Sequence, residues 1–473
     1  MNFCLLDGHR GVDIGKGVEA CLNEWEIDNV LTLSVDNASA NDSAIDFLKI
    51  IFAYNQNCLL HGKWFHIRCA AHIVNLVVQD GMKKVDKSID NIRCAVKWVK
   101  KTGARIAAFT NCAENAKCES RKLLVLDVST RWNSTYHMLE IAQAYEHAFG
   151  RYHLEDASFG IYVRSKNLSF PTSEDWIKAR KLCHFLKVFD DITTRISGTK
   201  YVTSHTLVVE LAKIRDTMRQ QVDCDILQEQ PTDQHLYDIA KVMKPKFDKY
   251  FGEIENMNLL LYFSFLLDPR NKEEFLDIIL DDHYGMEGIA IVQLKKTHIK
   301  NEFKALYEDY VRIHASPSTT SSTSTFGKQP YPNNPPGTSI PDYGDRLRNK
   351  MKTSQTCNST ISDLDRYLGE SLEAFDTNVS FEILIWWKVN SPRFPILSFM
   401  AKDLLAIPIS TVASESVFST SGRVLDSYRS SLGDKTVECL ICTQDWLRKD
   451  KKPDKEEDEE MAAQLDNGTI FYV

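Results

Sequence analysis

Residues 381–447 read FEILIWWKVNSPRFPILSFMAKDLLAIPISTVASESVFSTSGRVLDSYRSSLGDKTVECLICTQDWL. Trp386, Trp387, Phe394, Leu397, Met400 and Leu404 form a wide apolar stripe at helical spacing, which predicts helices packed into a core or against another subunit. After IPI, Ser410 or Thr411 can cap a further helix whose first turns carry Glu415, a place where the helix dipole favours a carboxylate. Capping and dipole account for Glu415 structurally; a catalytic role requires partner carboxylates elsewhere in the chain.

The whole chain has 473 residues, 43% of them hydrophobic, enough to bury large cores and consistent with two to four domains. Its 65 acidic and 57 basic residues leave a formal charge of −8, so DNA contact must come from local basic patches rather than a global field. The acidic KPDKEEDEEM run is read as a solvated tail. MNFCLLDGHRGVDIG lacks the pattern of a secretory signal, and no apolar stretch reaches the ~18 residues that span a bilayer. A soluble, intracellular protein is expected, and its 12 cysteines, scattered through large apolar segments, are expected to be reduced thiols.

VLTLSVD at 30–36 is a β-branched, leucine-rich run that predicts a buried strand delivering Asp36 at its C-terminal end, then a helix from about Asn41. Phe65 to Val99 carries apolar residues at helical spacing, LLVLDV at 123–128 predicts a second strand, and RWNSTYHML a turn and helix. Residues 173–313 hold long amphipathic patterns with few strand signals, interrupted by LLDPRNK, where Pro269 ends a helix. From Ala315 the composition turns to Ser, Thr, Pro and Asn, which predicts a flexible linker.

Several residues invite chemical readings beside plainer ones. Asp36 at a strand end is where a nuclease of the two-metal type places a carboxylate, and equally where an aspartate caps the next helix. Cys69 and His72 in CAAH have the spacing of half a zinc site but lack a second pair nearby, so packing on a helix is the plainer reading and no structural zinc is expected. Cys439 and Cys442, in an amphipathic helix, are read as core. Arg131 and Trp132 follow a strand; an arginine beside an exposed tryptophan can hold a phosphate and stack an unpaired base, while a tryptophan packed under a loop is the commoner arrangement.

The order of these segments resembles hAT-family DNA transposases, specifically the plant zinc finger BED domain-containing RICESLEEPER-like group. It runs strand-Asp36-Asn-Ala-Ser, CAAH, STRWNSTYHML, a helical block, then SESVFS near the C-terminus. The resemblance implies an α/β plus all-α fold: an incomplete RNase H-like catalytic domain (1–150) interrupted by a large helical insertion (151–314). A linker (315–362), a C-terminal helical hAT dimerisation region completing the fold (363–448) and an acidic tail (449–473) follow. It assigns Asp36 and Glu415 as metal-binding carboxylates, Arg131, Trp132, Cys69 and His72 to DNA, and Trp386, Trp387, Phe394, Leu397, Met400, Leu404 and Phe418 to dimerisation.

The same resemblance places a BED finger and a first catalytic aspartate ahead of NFCLL, with neither Asp7 nor Asp13 a natural substitute. The expectation is therefore a nuclear, dimerising, DNA-binding protein that is catalytically inactive as this chain and needs no cofactor. An active transposase using Mg2+ or Mn2+, if the chain is part of a longer product, and a domesticated transcriptional regulator are the alternatives. Expected partners are itself or related hAT proteins and DNA, with no membrane.

Overall fold

The computed structural model describes residues 6, 8, 10–55, 62–128, 131–223, 230–314, 362–374, 381–412, 435–436, 439–440 and 442–443. The expected linker, save Ser362, and the acidic tail lie outside these residues. So do Asp7, Glu415 and Phe418. The chain divides into two compact units, Met1–Phe265 with Ala406–Val473, and Leu266–Leu405.

The first unit opens with α1 (Gly11–Glu24), β1 (Leu33–Val35), α2 (Ser39–Asn55) and β2 (His66–Arg68). The helices α1 and α2 lie close because α1 presents glycine: a Cβ on Gly11 would collide with the Ser43 side chain and the Ala40 carbonyl, and one on Gly15 would strike the Phe47 ring. β1 and β2 pair in parallel with Leu33 opposite His66 and Val35 opposite Arg68. The ladder is bracketed by Leu33 N–H donating to Phe65 O and Cys69 N–H donating to Val35 O. Val18, Val35, Ile45, Leu48, Phe52 and Phe65 form the core beneath it. Asn258 closes the other edge of β2, its side-chain amide donating to the carbonyls of Trp64 (2.7 Å) and His66 (3.0 Å).

The strand predicted at 30–36 is thus present, shortened to three residues. The helical reading of Phe65 onward is corrected at its start. Phe65, Ile67 and Cys69 are buried while His66 and Arg68 are not, the period-two pattern of a strand, and the helix begins only at Ala70.

Helices then dominate the unit: α3 (Ala70–Met82), α4 (Lys87–Val99), α5 (Gly103–Asn115), α6 (Trp132–Gln143), α7 (Glu146–Glu155), α8 (Ala157–Ser165), α9 (Ser173–Ile196), α10 (Leu207–Val222), α11 (Gln234–Phe251) and α12 (Leu260–Leu266). Their starts carry the side chains that helix N-termini need. Asp86 caps α4, Asp233 caps α11, and Thr172 with Asp175 forms a reciprocal capping box on α9.

The second strand predicted at 123–128 does not join a ladder; side chains from the helices satisfy its main chain instead. Lys100 Nζ donates to Leu124 O (2.6 Å), Tyr145 Oη to Lys122 O (2.7 Å), and Val128 N–H to Ser134 Oγ (2.8 Å). Asp127, buried, takes Arg93 Nε at 2.6 Å and the Thr135 hydroxyl at 3.0 Å, pinning the segment to α4 and α6.

The second unit comprises α13 (Lys272–Tyr284), α14 (Ile289–His314), α15 (Asp363–Gly369), α16 (Ile383–Asn390) and α17 (Pro395–Leu405). Asp268 turns the chain ahead of α13 by accepting from Arg270 Nη2 (2.6 Å) and from the Arg270 N–H (3.0 Å), in the LLDPRNK turn the sequence predicts. Its core is aromatic: Tyr367, Trp387 and Phe394 meet at ring distances of 5.2–6.2 Å. Tyr367 Oη donates to Leu266 O and Trp387 Nε1 to Leu267 O. The architecture is mostly helical with one small parallel sheet, the mixed α/β plus all-α class expected. Among the described residues no helix is long and apolar enough to cross a membrane.

Candidate functional site

Asp36 follows β1 directly, at the C-terminal end of the parallel pair, the end of a sheet where α/β folds place their sites. Its Oδ1 accepts the Ala38 N–H at 2.8 Å and the Asn41 amide at 2.7 Å, so the carboxylate organises the first turn of α2. At the end of β2, Arg68 reaches across to Asn37 Oδ1 (3.2 Å) and Asp42 (3.1 Å), tying the two strand ends together. His66 lies one strand position before Ile67 with its Nε2 buried and without a hydrogen-bond partner. Burial first, and then the Arg68 charge, pull its pKa down to about 4, so the ring is neutral at physiological pH.

The chain returns to this place from far along the sequence. Ser34 Oγ donates to Pro408 O, Ala70 N–H donates to Ile409 O (2.8 Å), and Thr411 N–H donates to Cys69 Sγ (3.2 Å). Ser410 Oγ accepts the Val412 N–H at 3.2 Å; the helix that Ser410 is expected to cap lies outside the described residues. The segment 408–412 is therefore stitched to β1 and to the N-terminus of α3 on either side of Val35 O···H–N Cys69. Glu415, three residues beyond Val412, lies outside the described residues.

Cys69 has a definite task in this arrangement. Fully buried, it caps α3 by accepting the His72 N–H (3.4 Å) and holds the returning segment with the same sulfur. Its assignment to DNA is corrected accordingly: a residue with no solvent exposure cannot reach a nucleic acid. His72 is half-buried and engaged within the fold. Among the described residues no group of three or more His, Cys, Asp or Glu side chains converges as metal ligands do. The Asp36 carboxylate accepts from the Ala38 N–H and the Asn41 amide, whereas a hard divalent cation takes six or more oxygen ligands. The described residues alone do not fit a two-metal centre.

Arg131 and Trp132 open α6. The exposed indole that base stacking requires is not found: Trp132 is 2% exposed and packs inside the unit, so the plainer reading of it is the observed one. Of the cysteine pair near the C-terminus, Cys442 is buried and Cys439 is exposed, correcting the expectation of core for the latter. In the second unit Trp387, Phe394, Leu397, Met400 and Leu404 are buried against their own chain and Trp386 half-buried. These described residues of the stripe form core within the unit, one of the two uses its spacing allows. Arg68, Asp42 and Ser34 carry no local signal, since their contacts span 26 to 374 positions; only the alternation in FHIRC hints at the strand that aligns Arg68.

Comparison with known proteins agrees with this layout. Residues 363–447 match the hAT family C-terminal dimerisation region, residues 67–185 the ZBED1 RNase-like helical domain, and residues 205–310 the RNase-H fold of hAT-like transposases. The chain belongs to the hAT transposase family. It is 32% identical to a Zea mays protein named for the AC transposase, over 96% of this chain, and 33% identical to zinc finger BED domain-containing protein RICESLEEPER 2 of Oryza sativa, over 95%. It spans 53% and 60% of those relatives' lengths. A Talaromyces stipitatus protein named transcriptional regulator tpeD is 23% identical over 92% of this chain, which spans 48% of it. The match to the hAT-like RNase-H fold falls within the stretch expected as the helical insertion, and the elements described there are helices. This hAT chain thus carries a dimerisation region, and that region includes both the aromatic core of the second unit and the segment docked beside Asp36.

Proposed function

We propose that this hAT transposase-derived chain self-associates through its C-terminal region and binds DNA in the nucleus, without cutting DNA as this chain. The observation that supports the last point is the setting of Asp36, whose Oδ1 is engaged by the Ala38 N–H and the Asn41 amide in ordering α2, with no converging set of metal ligands among the described residues. Two-metal phosphoryl transfer needs several carboxylates to hold its cations in line with the attacking and leaving oxygens. Supercoiled plasmid incubated with the chain and Mg2+ or Mn2+ is expected to stay intact. Metal-dependent nicking that disappears in both Asp36→Asn and Glu415→Gln would overturn the proposal.

That outcome would instead establish the second reading, an active transposase. The observation favouring it is the docking of 408–412, which carries the chain to within three residues of Glu415 at the strand end that bears Asp36. DNA association is expected to be of the backbone type, with duplex binding that weakens steeply as salt rises and shows little sequence preference. The likeness to a protein named as a transcriptional regulator supports the same DNA association and the nuclear assignment.

A further inference from the structure

The buried stripe of the dimerisation region leaves a second set of apolar residues facing outward. Leu384 is 47% exposed, Ile385 58%, Val389 69% and Phe399 50%. On α16, Leu384 and Ile385 lie one turn before Lys388 and Val389, so the four share a face opposite the buried Ile383 and Trp387. On α17, Pro395, Phe399 and Lys402 line up in the same way. Between these faces opens a groove of about 650 Å3, lined by Leu384, Trp387, Pro392, Pro395 and Phe399, with Lys388 and Lys402 along it. Contiguous large apolar groups of this kind are rare on a monomer's surface unless something covers them.

We propose that a second copy of this chain covers this face: the ridge of Ile385 and Val389 on one copy enters the groove beside Phe399 on the other, about a two-fold axis. The proposal rests on the self-association reading above and adds the surface that carries it. Three observations favour a second copy over another occupant. The face lies wholly within residues 363–447, the match to a dimerisation region, and among the described residues there the stripe of Trp387, Phe394, Leu397, Met400 and Leu404 is consumed by the unit's own core. Ridge and groove are adjacent on one unit, which is what an isologous interface requires, each surface meeting its own copy. The charges are of both signs, Lys388 and Lys402 with exposed Glu382 and Asp403, the last also accepting from the Tyr310 hydroxyl, so neither sign dominates the face. A purely acidic partner would be matched better by lysines alone.

The test is sedimentation velocity on the full chain at about 10 μM, comparing wild type with the double substitution Val389→Asp and Phe399→Asp. Wild type is expected to sediment as a dimer and the double variant as a monomer, with self-association weakened ~100-fold or more, the effect of placing charge at the centre of an apolar interface. The variant's far-UV spectrum should match wild type, and its melting temperature should drop only slightly, because Val389 is exposed and Phe399 half-exposed with one face stacked on His314. Val389→Ile with Phe399→Leu should remain dimeric, and Ile278→Asp, on an exposed part of α13, should leave dimerisation intact. A monomeric wild type would remove the self-association reading and this proposal with it. A dimeric wild type with an equally dimeric, folded double variant would remove this surface alone.

Discussion

Lys272 offers the sharpest test of how the second unit is held together. Its side chain is 2% exposed, and its ammonium donates to the carbonyls of Tyr367 (2.6 Å) and Glu370 (2.7 Å), with Ser371 more distant at 3.4 Å. These acceptors form the C-terminal end of α15, where carbonyls lack intrahelical donors and a positive charge is favoured by the dipole. The same nitrogen lies 4.6 Å from the Tyr367 ring centre, and Lys272 has a φ of +46°, a conformation non-glycine residues adopt only when surrounding structure imposes it. Lys272→Met keeps the volume and removes the charge. Stranding the buried Tyr367 carbonyl costs ~2 kcal/mol and the half-buried Glu370 carbonyl ~1 kcal/mol, from which relief of ammonium desolvation subtracts part, leaving a net loss of about 2 kcal/mol. Urea unfolding of the full chain, followed by fluorescence of Trp386 and Trp387 beside Tyr367, reads the change in the second unit. Burial lowers the Lys272 pKa, with Glu370 and Glu274 opposing it. The folded state therefore releases this proton before the unfolded chain does, and wild-type stability should rise relative to the variant as pH climbs through the alkaline range toward the unfolded value of ~10.4. An amine keeps donors enough for both carbonyls. A variant as stable as wild type, or more so, would refute the assignment of Lys272 as the cap of α15.

Further expectations concern the first unit. His66, held neutral with a pKa of about 4, binds its proton later than the unfolded chain does at ~6.5, so stability should fall as pH drops across that window. Discounted for the half-buried ring, the loss is ~1–2 kcal/mol, and His66→Gln should flatten the pH profile of the melting temperature. Cys69→Ala removes the cap of α3 and the anchor of Thr411 together, at ~1–2 kcal/mol, and hydrogen exchange at the His72 and Thr411 amides should speed up. Cys69→Ser should restore most of that protection. Trp132→Ala should cost ~3–5 kcal/mol by opening a cavity, measured by thermal unfolding; unchanged stability would mean the indole is not a core group.

What could be read locally was read correctly. The β1 strand, the helical run from residue 173 and the break at Pro269 are consequences of neighbouring side chains, and the structure holds each of them. The errors share one cause. LLVLDV has strand composition, but a strand exists only where another main chain meets it, and there Lys100, Tyr145 and Ser134 meet it instead. Apolar spacing over a long window hides a strand of three residues, so FHIRC reads as the start of the following helix. Trp132 was legible as a tryptophan after a strand, but its exposure was not, because exposure depends on what packs over it.

The sequence by itself determined the family, the order of the segments, the predominance of helix and the identity of the residues that bear chemistry. Those follow from residue types and from periodicities that act within a few turns. Only the tertiary structure decided which of these residues are neighbours and which way they face. It turned the aromatic stripe of the dimerisation region inward and left Leu384, Ile385, Val389 and Phe399 outside, a choice set by the competition of all apolar faces for one core. It also placed residues 408–412 against Ser34 and Cys69, contacts that cross more than 300 positions and that no local propensity encodes.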